Sequence, residues 1–265
     1  MRFNYIIATD LDGTLMDHHD YSCTAAIPAI RRCQSLGVPI IFNTSKTYAE
    51  ARSLQRTLNL DAPVIVENGS AIVIPGALSN KPTEHMFGAS RVDVIGFIND
   101  VRNKYEWQFE GFNDWSLEEI VKYTGLSDDE AAKASIKQYS EPFIWQDTAV
   151  ALDKFTKLAK LKGLSVLKGG RFHHLQGQTD KAKPLAWLMK NHSKLFPQMN
   201  EQPTVIALGD SHNDIAMLNA ADIAVCVRSP VADYPKLSRK DKEIKTNAFG
   251  PVGWNEAVLK ILAEY

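Results

Sequence analysis

Two carboxylates, Asp10 and Asp12, stand one residue apart, directly after the apolar run Tyr5-Ile6-Ile7-Ala8-Thr9 and directly before Gly13. Acids this close repel one another unless something positive sits between them. A hard divalent cation such as Mg²⁺, which takes oxygen ligands, answers that need. Gly13 lets the backbone turn sharply against a ligand. Three more polar clusters follow: Thr44-Ser45-Lys46, then Lys181, then Asp210 with Asn213 and Asp214. Each has an ordinary explanation alone: a solvated acidic loop, a helix cap, a solvated lysine at a helix start, a second cap. Taken jointly and in this order, they form a complete set for phosphoryl transfer. One carboxylate can attack phosphorus and split a hard step into two. A second can act as acid and then as base. Three acids can hold Mg²⁺. A hydroxyl and a lysine can hold the non-bridging oxygens, where transition-state charge is spread.

The elements that must position these groups are legible as strands and helices in alternation. Tyr5–Thr9 reads as a buried parallel strand, which puts Asp10 at its carboxyl end, where open α/β sheets bind ligands. Ala25–Leu36 has helical spacing and stops at Gly37. Val38–Phe42 is a second strand and delivers Thr44, Ser45 and Lys46. Thr47 and Glu50 have the spacing of a capping box for the next helix. Pro63–Val66 is a third strand, followed by Glu67-Asn68-Gly69 and the apolar run Ala71–Ile74. This βαβ pattern implies a parallel sheet with right-handed crossovers.

From about Pro75 the texture changes. A Pro- and Gly-containing connector leads to a helix over Ser90–Tyr105, and capping boxes follow at Ser116/Glu119 and Ser127/Glu130. Pro142–Trp145 reads as a strand, Ala149–Lys162 as a helix, and Leu164–Leu167 and Phe172–Leu175 as a hairpin joined by Gly169-Gly170. The first pattern then returns: a helix over Lys181–Leu195, a strand over Thr204–Leu208 ending in Gly209-Asp210, a strand over Ala224–Val227, and a final helix opened by Gly250-Pro251-Val252-Gly253. The expected fold is α/β: a doubly wound, Rossmann-like core of residues 1–83 and 178–265, with an α+β cap of residues 84–177 inserted into it.

Composition narrows the partners. The chain has 265 residues and a formal net charge of −1, which points away from nucleic acid and anionic membranes. The basic run Lys236–Lys245 is interrupted by acids and reads as solvated surface. No stretch approaches the ~20 apolar residues of a membrane span, and no secretory signal is visible. Cys23, Cys33 and Cys226 lack metal-ligand spacing, and we expect a reducing cytoplasm. The expected partner is a small phosphorylated molecule, and the chain is expected to be a monomer or homodimer.

The four clusters resemble the four motifs of the haloacid dehalogenase superfamily of phosphatases: D-x-D-G-T-L, a hydroxyl after the second strand, a lysine after the insertion, and G-D-x-x-N-D. The match spans the chain, and the insertion is similar to the larger cap of the Cof-like branch. Asn43-Thr44-Ser45-Lys46-Thr47, Glu67-Asn68-Gly69, Lys168-Gly169-Gly170-Arg171-Phe172-His173 and Gly250-Pro251-Val252-Gly253-Trp254 resemble mannosyl-3-phosphoglycerate phosphatases. Most Cof-like chains carry T-G-R where this one has Thr44-Ser45-Lys46.

The resemblance implies a Mg²⁺-dependent phosphatase acting on mannosyl-3-phosphoglycerate or its glucosyl analogue. It makes Asp10 the nucleophile and a metal ligand, and Asp12 the acid/base that gives its carbonyl to the metal. Asp210 becomes the third ligand, and Asp214 either ligates or orients Lys181. Thr44 and Lys181 hold the phosphoryl group with Asn213 nearby, and Ser45 adds a hydroxyl. For the rest of the substrate, Arg171 is the expected carboxylate receptor, Lys46 a second cation, and Asn68 faces the sugar. One of His173 and His174 points inward. For Trp107, Phe109 and Phe112 two readings stand, the lining of a sugar site and packing between cap and core, and the second is the expected one. Other readings are a phosphatase for another sugar phosphate such as sucrose phosphate, a phosphosugar mutase, and a non-catalytic sugar-phosphate sensor.

Overall fold

The computed structural model describes residues 4–76, 82–168, 171–199, 201–239 and 241–263. Twelve strands among them form two sheets. In chain order they are β1 (Tyr5–Thr9), β2 (Ile40–Asn43), β3 (Val64–Val66), β4 (Ala71–Ile74), β5 (Thr83–Met86), β6 (Phe109–Gly111), β7 (Ser140–Trp145), β8 (Leu164–Lys168), β9 (His173–Gly177), β10 (Thr204–Gly209), β11 (Ile223–Arg228) and β12 (Glu243–Phe249). The larger sheet runs β12-β11-β10-β1-β2-β3-β4-β5. Its six strands from β12 to β3 are parallel, and β4 and β5 continue it antiparallel.

β1 is buried throughout because it lies in the middle of this sheet with helices on both faces. Side-chain alternation divides its residues. Tyr5 and Ile7 join the cluster under α1 (Ile27–Leu36), α2 (Tyr48–Thr57) and the C-terminal helix Gly250–Ala263. Ile6 and Ala8 join the opposite cluster, which includes Leu185, Leu188, Met217 and Leu218. The capping box expected at Thr47 and Glu50 starts α2, and Gly37 ends α1 in the left-handed conformation. The expected βαβ core is thus present, and the apolar run Ala71–Ile74 adds a strand antiparallel to β3.

The inserted part is built on the second sheet, ordered β6-β7-β9-β8 and antiparallel throughout. Helices α3 (Arg91–Tyr105), α4 (Leu117–Thr124), α5 (Asp128–Ser135) and α6 (Ala149–Leu161) accompany it. α3, α4 and α5 each begin with a capping box, at Ser90, Ser116 and Ser127. The side chains of α3 and α6 close one apolar cluster with Phe109, Phe143 and Leu175. Phe112 and Trp115 belong to a second cluster with Ile120 and Ala131 of α4 and α5. Trp107 stacks on Tyr105. These aromatics therefore pack within the inserted part rather than between it and the core.

Three strands depart from expectation. β5 lies in the larger sheet, so the boundary drawn at residue 84 falls inside a strand of that sheet. β6 is three residues long. β12 runs through the end of the basic stretch, where Lys245 remains half-exposed and pairs with Glu243 at 3.2 Å. The Lys181–Leu195 helix is two helices, α7 (Ala182–Lys190) and α8 (His192–Leu195). The remaining helices are α9 (Ile215–Ala220) and α10 (Gly250–Ala263). The expected Gly169-Gly170 turn lies outside the described residues.

Candidate active site

The site is made by register. β1 and β10 pair in parallel with Thr9 opposite Leu208, and the Asp10 amide continues the ladder by donating to the Leu208 carbonyl at 2.9 Å. Asp10 and Asp210, two hundred positions apart, thereby leave the sheet side by side. Carboxylate oxygens of Asp10, Asp210 and Asp214 all lie within 4.8 Å of one another, and all three residues are buried.

Lys181 supplies the counter-charge. It is fully buried and donates to Asp10 Oδ1 and Asp214 Oδ1, each at 2.7 Å. Burial pulls its ammonium down, but the two carboxylates outweigh that and hold it above the ordinary lysine range. Asp10 moves the other way: burial first, then the Asp214 charge, raises its carboxyl well above the usual range despite Lys181. Burial, with Asp214 second, pushes Asp210 up to about 6.

Asp214 is saturated by donors. Besides Lys181, its Oδ2 accepts from the amides of Asp210 and Ser211 at 3.1 and 3.0 Å and from the Ser211 hydroxyl at 3.1 Å. Asp210 is oriented by the Thr14 hydroxyl at 3.0 Å. Gly13 is needed beside it. Its φ is +78°, and a Cβ there would lie 2.7 Å from Asp210 Oδ2, so any side chain displaces that carboxylate.

The structure brings most of the expected residues together here. Asp12 is partly exposed and pairs with Lys46 at 2.9 Å. Burial opposes the Lys46 charge, but Asp12 and Glu50 outweigh it and raise the ammonium above its ordinary range. Thr44 is fully buried at the end of β2, and its Oγ1 accepts from the Lys46 amide at 3.1 Å. The Ser45 carbonyl accepts from Lys137. Asn213 donates to Asn68 Oδ1 at 2.9 Å. Arg171 is the exception: its guanidinium donates to the Tyr123 carbonyl at the end of α4. Of the two histidines, His173 stacks on Phe143 in the α3–α6 cluster, and alternation along β9 sends His174 to the other face.

Sequence reasoning missed three contributors. Thr14 was visible inside its motif but given no role. Glu67, in the Glu67-Asn68-Gly69 motif, has no role legible in the sequence, yet it is buried with a φ of +46° and its carboxylate accepts from the amides of Gln138 and Tyr139 and the hydroxyl of Ser140. It ties the end of β3 to the entry of β7. Lys137 gave no signal, because only the fold buries it.

The geometry fits a metal by its charge. Three carboxylates face one buried ammonium, so the ionised set retains two negative charges that a dication would match. All-oxygen donors of this kind suit a hard ion. A family model described as haloacid dehalogenase-like hydrolase matches residues 7–247. The chain belongs to that family. Two relatives of this hydrolase bear the name glucosyl-3-phosphoglycerate/mannosyl-3-phosphoglycerate phosphatase. The one from Methanococcoides burtonii is 36% identical, and 98% of each chain is covered. The one from Persephonella marina is 35% identical over 98% of this chain and 97% of its own. Among solved structures, a phosphatase of the haloalkanoate (HAD) superfamily from Bacteroides thetaiotaomicron superposes with a TM-score of 0.68 at 20% identity, covering 100% of this chain and 97% of that one. The sucrose-phosphatase of Synechocystis gives 0.57 at 15% identity, over 97% and 98%. At these identities the two structures speak for the fold of the hydrolase. Among its described residues no helix is long and apolar enough to cross a membrane.

Proposed function

We propose that this hydrolase is a Mg²⁺-dependent phosphatase that converts glucosyl- or mannosyl-3-phosphoglycerate to the glycosylglycerate and phosphate. The observation that carries the reading is full-length similarity to two enzymes of that name. The buried Asp10–Lys181–Asp214 arrangement supports it. In this reading a carboxylate oxygen of Asp10 attacks phosphorus, and the bond from phosphorus to the glycerate oxygen breaks. Asp12 gives its proton to that oxygen. Asp12, now ionised, then takes a proton from the water that attacks the aspartyl-phosphate, which frees Asp10 and phosphate. Thr44 and Lys181 hold the phosphoryl oxygens. Asp10, Asp210 and the Asp12 carbonyl would hold Mg²⁺, and Asp214, whose oxygens are occupied by donors, orients Lys181 and the 210–211 turn. When bound, Mg²⁺ supplies positive charge that lets an anionic nucleophile approach an anionic phosphate. Residues 87–177 act as a cap that excludes bulk water during the first half-reaction. A chain of this kind works on a small phosphorylated molecule in the cytoplasm.

The test is phosphate release from glucosyl- and mannosyl-3-phosphoglycerate, sucrose phosphate and glucose phosphates, with Mg²⁺ and with a chelator. Metal-dependent release with a strong preference for the glycosyl-phosphoglycerates is the expected result. Even rates across the panel would defeat the substrate assignment. Two further outcomes follow from the site. Gly13→Ala should raise the Mg²⁺ concentration for half-maximal activity by about 10–100-fold, because it moves Asp210. Asp210 carries a proton below about pH 6 that Mg²⁺ must displace. Burial raises the Asp10 carboxyl as well, so the Mg²⁺ requirement should rise as pH falls through 6. A Mg²⁺ titration at each pH reads both.

A further inference from the structure

Two groups of the inserted part, Lys137 in the connection from α5 to β7 and Gln176 on β9, are buried without the partners their chemistry requires. Lys137 is 8% exposed. Its ammonium makes one hydrogen bond, to the Ser45 carbonyl at 2.9 Å, and has no carboxylate partner among the described residues. The nearby Glu141 is already engaged by Arg91 at 2.8 Å and the Asn113 amide at 2.7 Å. Gln176 is fully buried, and neither its Oε1 nor its Nε2 has a hydrogen-bond partner among the described residues. A buried amide with both ends unsatisfied is destabilising, and folds keep few of them without a reason.

Lys137 reaches the core at the Ser45 carbonyl. Gln176 lies opposite Ser140 and Ser165 in the sheet register, so the three side chains share a face. The Ser140 hydroxyl is bound by Glu67, which places that face against the turn holding Asn68. His174 shares the face, and its Nδ1 is likewise buried without a partner. Burial, with Lys137 second, lowers the imidazole to about 3, so it stays neutral beside the lysine.

We propose that Lys137 and Gln176 are the cap-side specificity residues: Lys137 receives the glycerate carboxylate, and the Gln176 amide receives adjacent hydroxyls of the neutral sugar. This rests on the glycosyl-phosphoglycerate reading. The carboxylate and phosphate belong to one three-carbon unit, so the carboxylate receptor must stand beside the turn that holds the phosphoryl group. Lys137 stands on Ser45, in that turn. An amide offers a donor and an acceptor side by side, and neighbouring hydroxyls can satisfy both. Arg171, with its guanidinium on Tyr123, does not fill this role.

The test measures kcat/KM of the full chain with Mg²⁺ for glucosyl-3-phosphoglycerate, 3-phosphoglycerate and p-nitrophenyl phosphate. Lys137→Gln keeps a donor for the Ser45 carbonyl. It should lower kcat/KM for both carboxylate-bearing substrates at least about tenfold relative to p-nitrophenyl phosphate. Gln176→Met should lower kcat/KM for the glucosyl substrate at least about tenfold relative to 3-phosphoglycerate. Gln176→Met should also melt no lower than wild type without substrate, since it removes an unsatisfied buried amide. Unchanged ratios, or an even loss across all three substrates, overturn the proposal while the functional reading stands. A lower melting point for Gln176→Met would show a structural amide and overturn its half. If wild type releases no phosphate from glucosyl-3-phosphoglycerate, the functional reading fails and takes this proposal with it.

Discussion

Asp10→Asn is expected to reduce phosphate release by about 10⁴-fold or more while leaving a folded protein that melts higher than wild type in chelator. The two effects have one origin. An amide cannot supply the attacking oxygen, so the reaction loses its nucleophile. In the folded protein, burial and the Asp214 charge raise the Asp10 carboxyl well above its ordinary range. An acid raised on folding adds stability only while protonated, and that contribution is lost as pH rises through its folded value. A carboxyl held above its unfolded value therefore burdens the metal-free fold as pH rises, and the neutral amide lifts that burden. The Lys181–Asp214 pair at 2.7 Å does not involve position 10 and remains as a counter-charge in the variant. Phosphate assay and thermal melts with and without Mg²⁺ check both parts. Turnover near the wild-type rate would rule out Asp10 as the nucleophile.

Lys181→Met is expected to lose activity and stability together. Its ammonium is fully buried, and its loss strands Asp10, Asp210 and Asp214 within 4.8 Å of one another. Breaking a buried ion pair by removing one partner destabilises by about 3–5 kcal/mol. For a chain of this size that lowers the melting temperature by on the order of 10 °C in chelator. The double variant Lys181→Met, Asp214→Asn separates the two roles. It removes one stranded charge and should recover part of the stability, but no activity, because nothing then holds the phosphoryl oxygens from that side. A single variant that melts with wild type would mean that Lys181 does not offset the carboxylates.

What could be read in advance follows from where each residue sits. β1, β2 and β10 are interior strands, so both faces are apolar and the run announces itself before the carboxylates appear. β5, Thr-Glu-His-Met, is exposed at every position, and β12 is a mixed edge strand. With little buried surface on either, neither shows the alternation that marks a strand, and in the sequence both look like connector or solvated surface. The same contrast holds in the site. Asp10, Asp12, Lys181 and Asp210 are fixed by motif and spacing. Lys137 and Gln176 are ordinary residues whose meaning arises only when the fold buries them without partners. Arg171 shows the reverse: a plausible residue in a suggestive motif whose side chain the fold turns to α4.

The position of β1 in the larger sheet has a consequence for how the chain is made. β1 hydrogen-bonds to β2 on one side and β10 on the other, with Tyr5 opposite Thr204. A nascent chain emerges with its N-terminal end first, so β2 becomes available early and β10 about 160 residues later. Throughout that interval one edge of a largely apolar strand has no neighbour, the kind of template on which growing chains aggregate. Pairing across so long a separation is also slow. Biogenesis of this enzyme should therefore be limited by the wait for β10, and its demand on chaperones should rise when synthesis is slowed, because the β1 edge then stays open for longer.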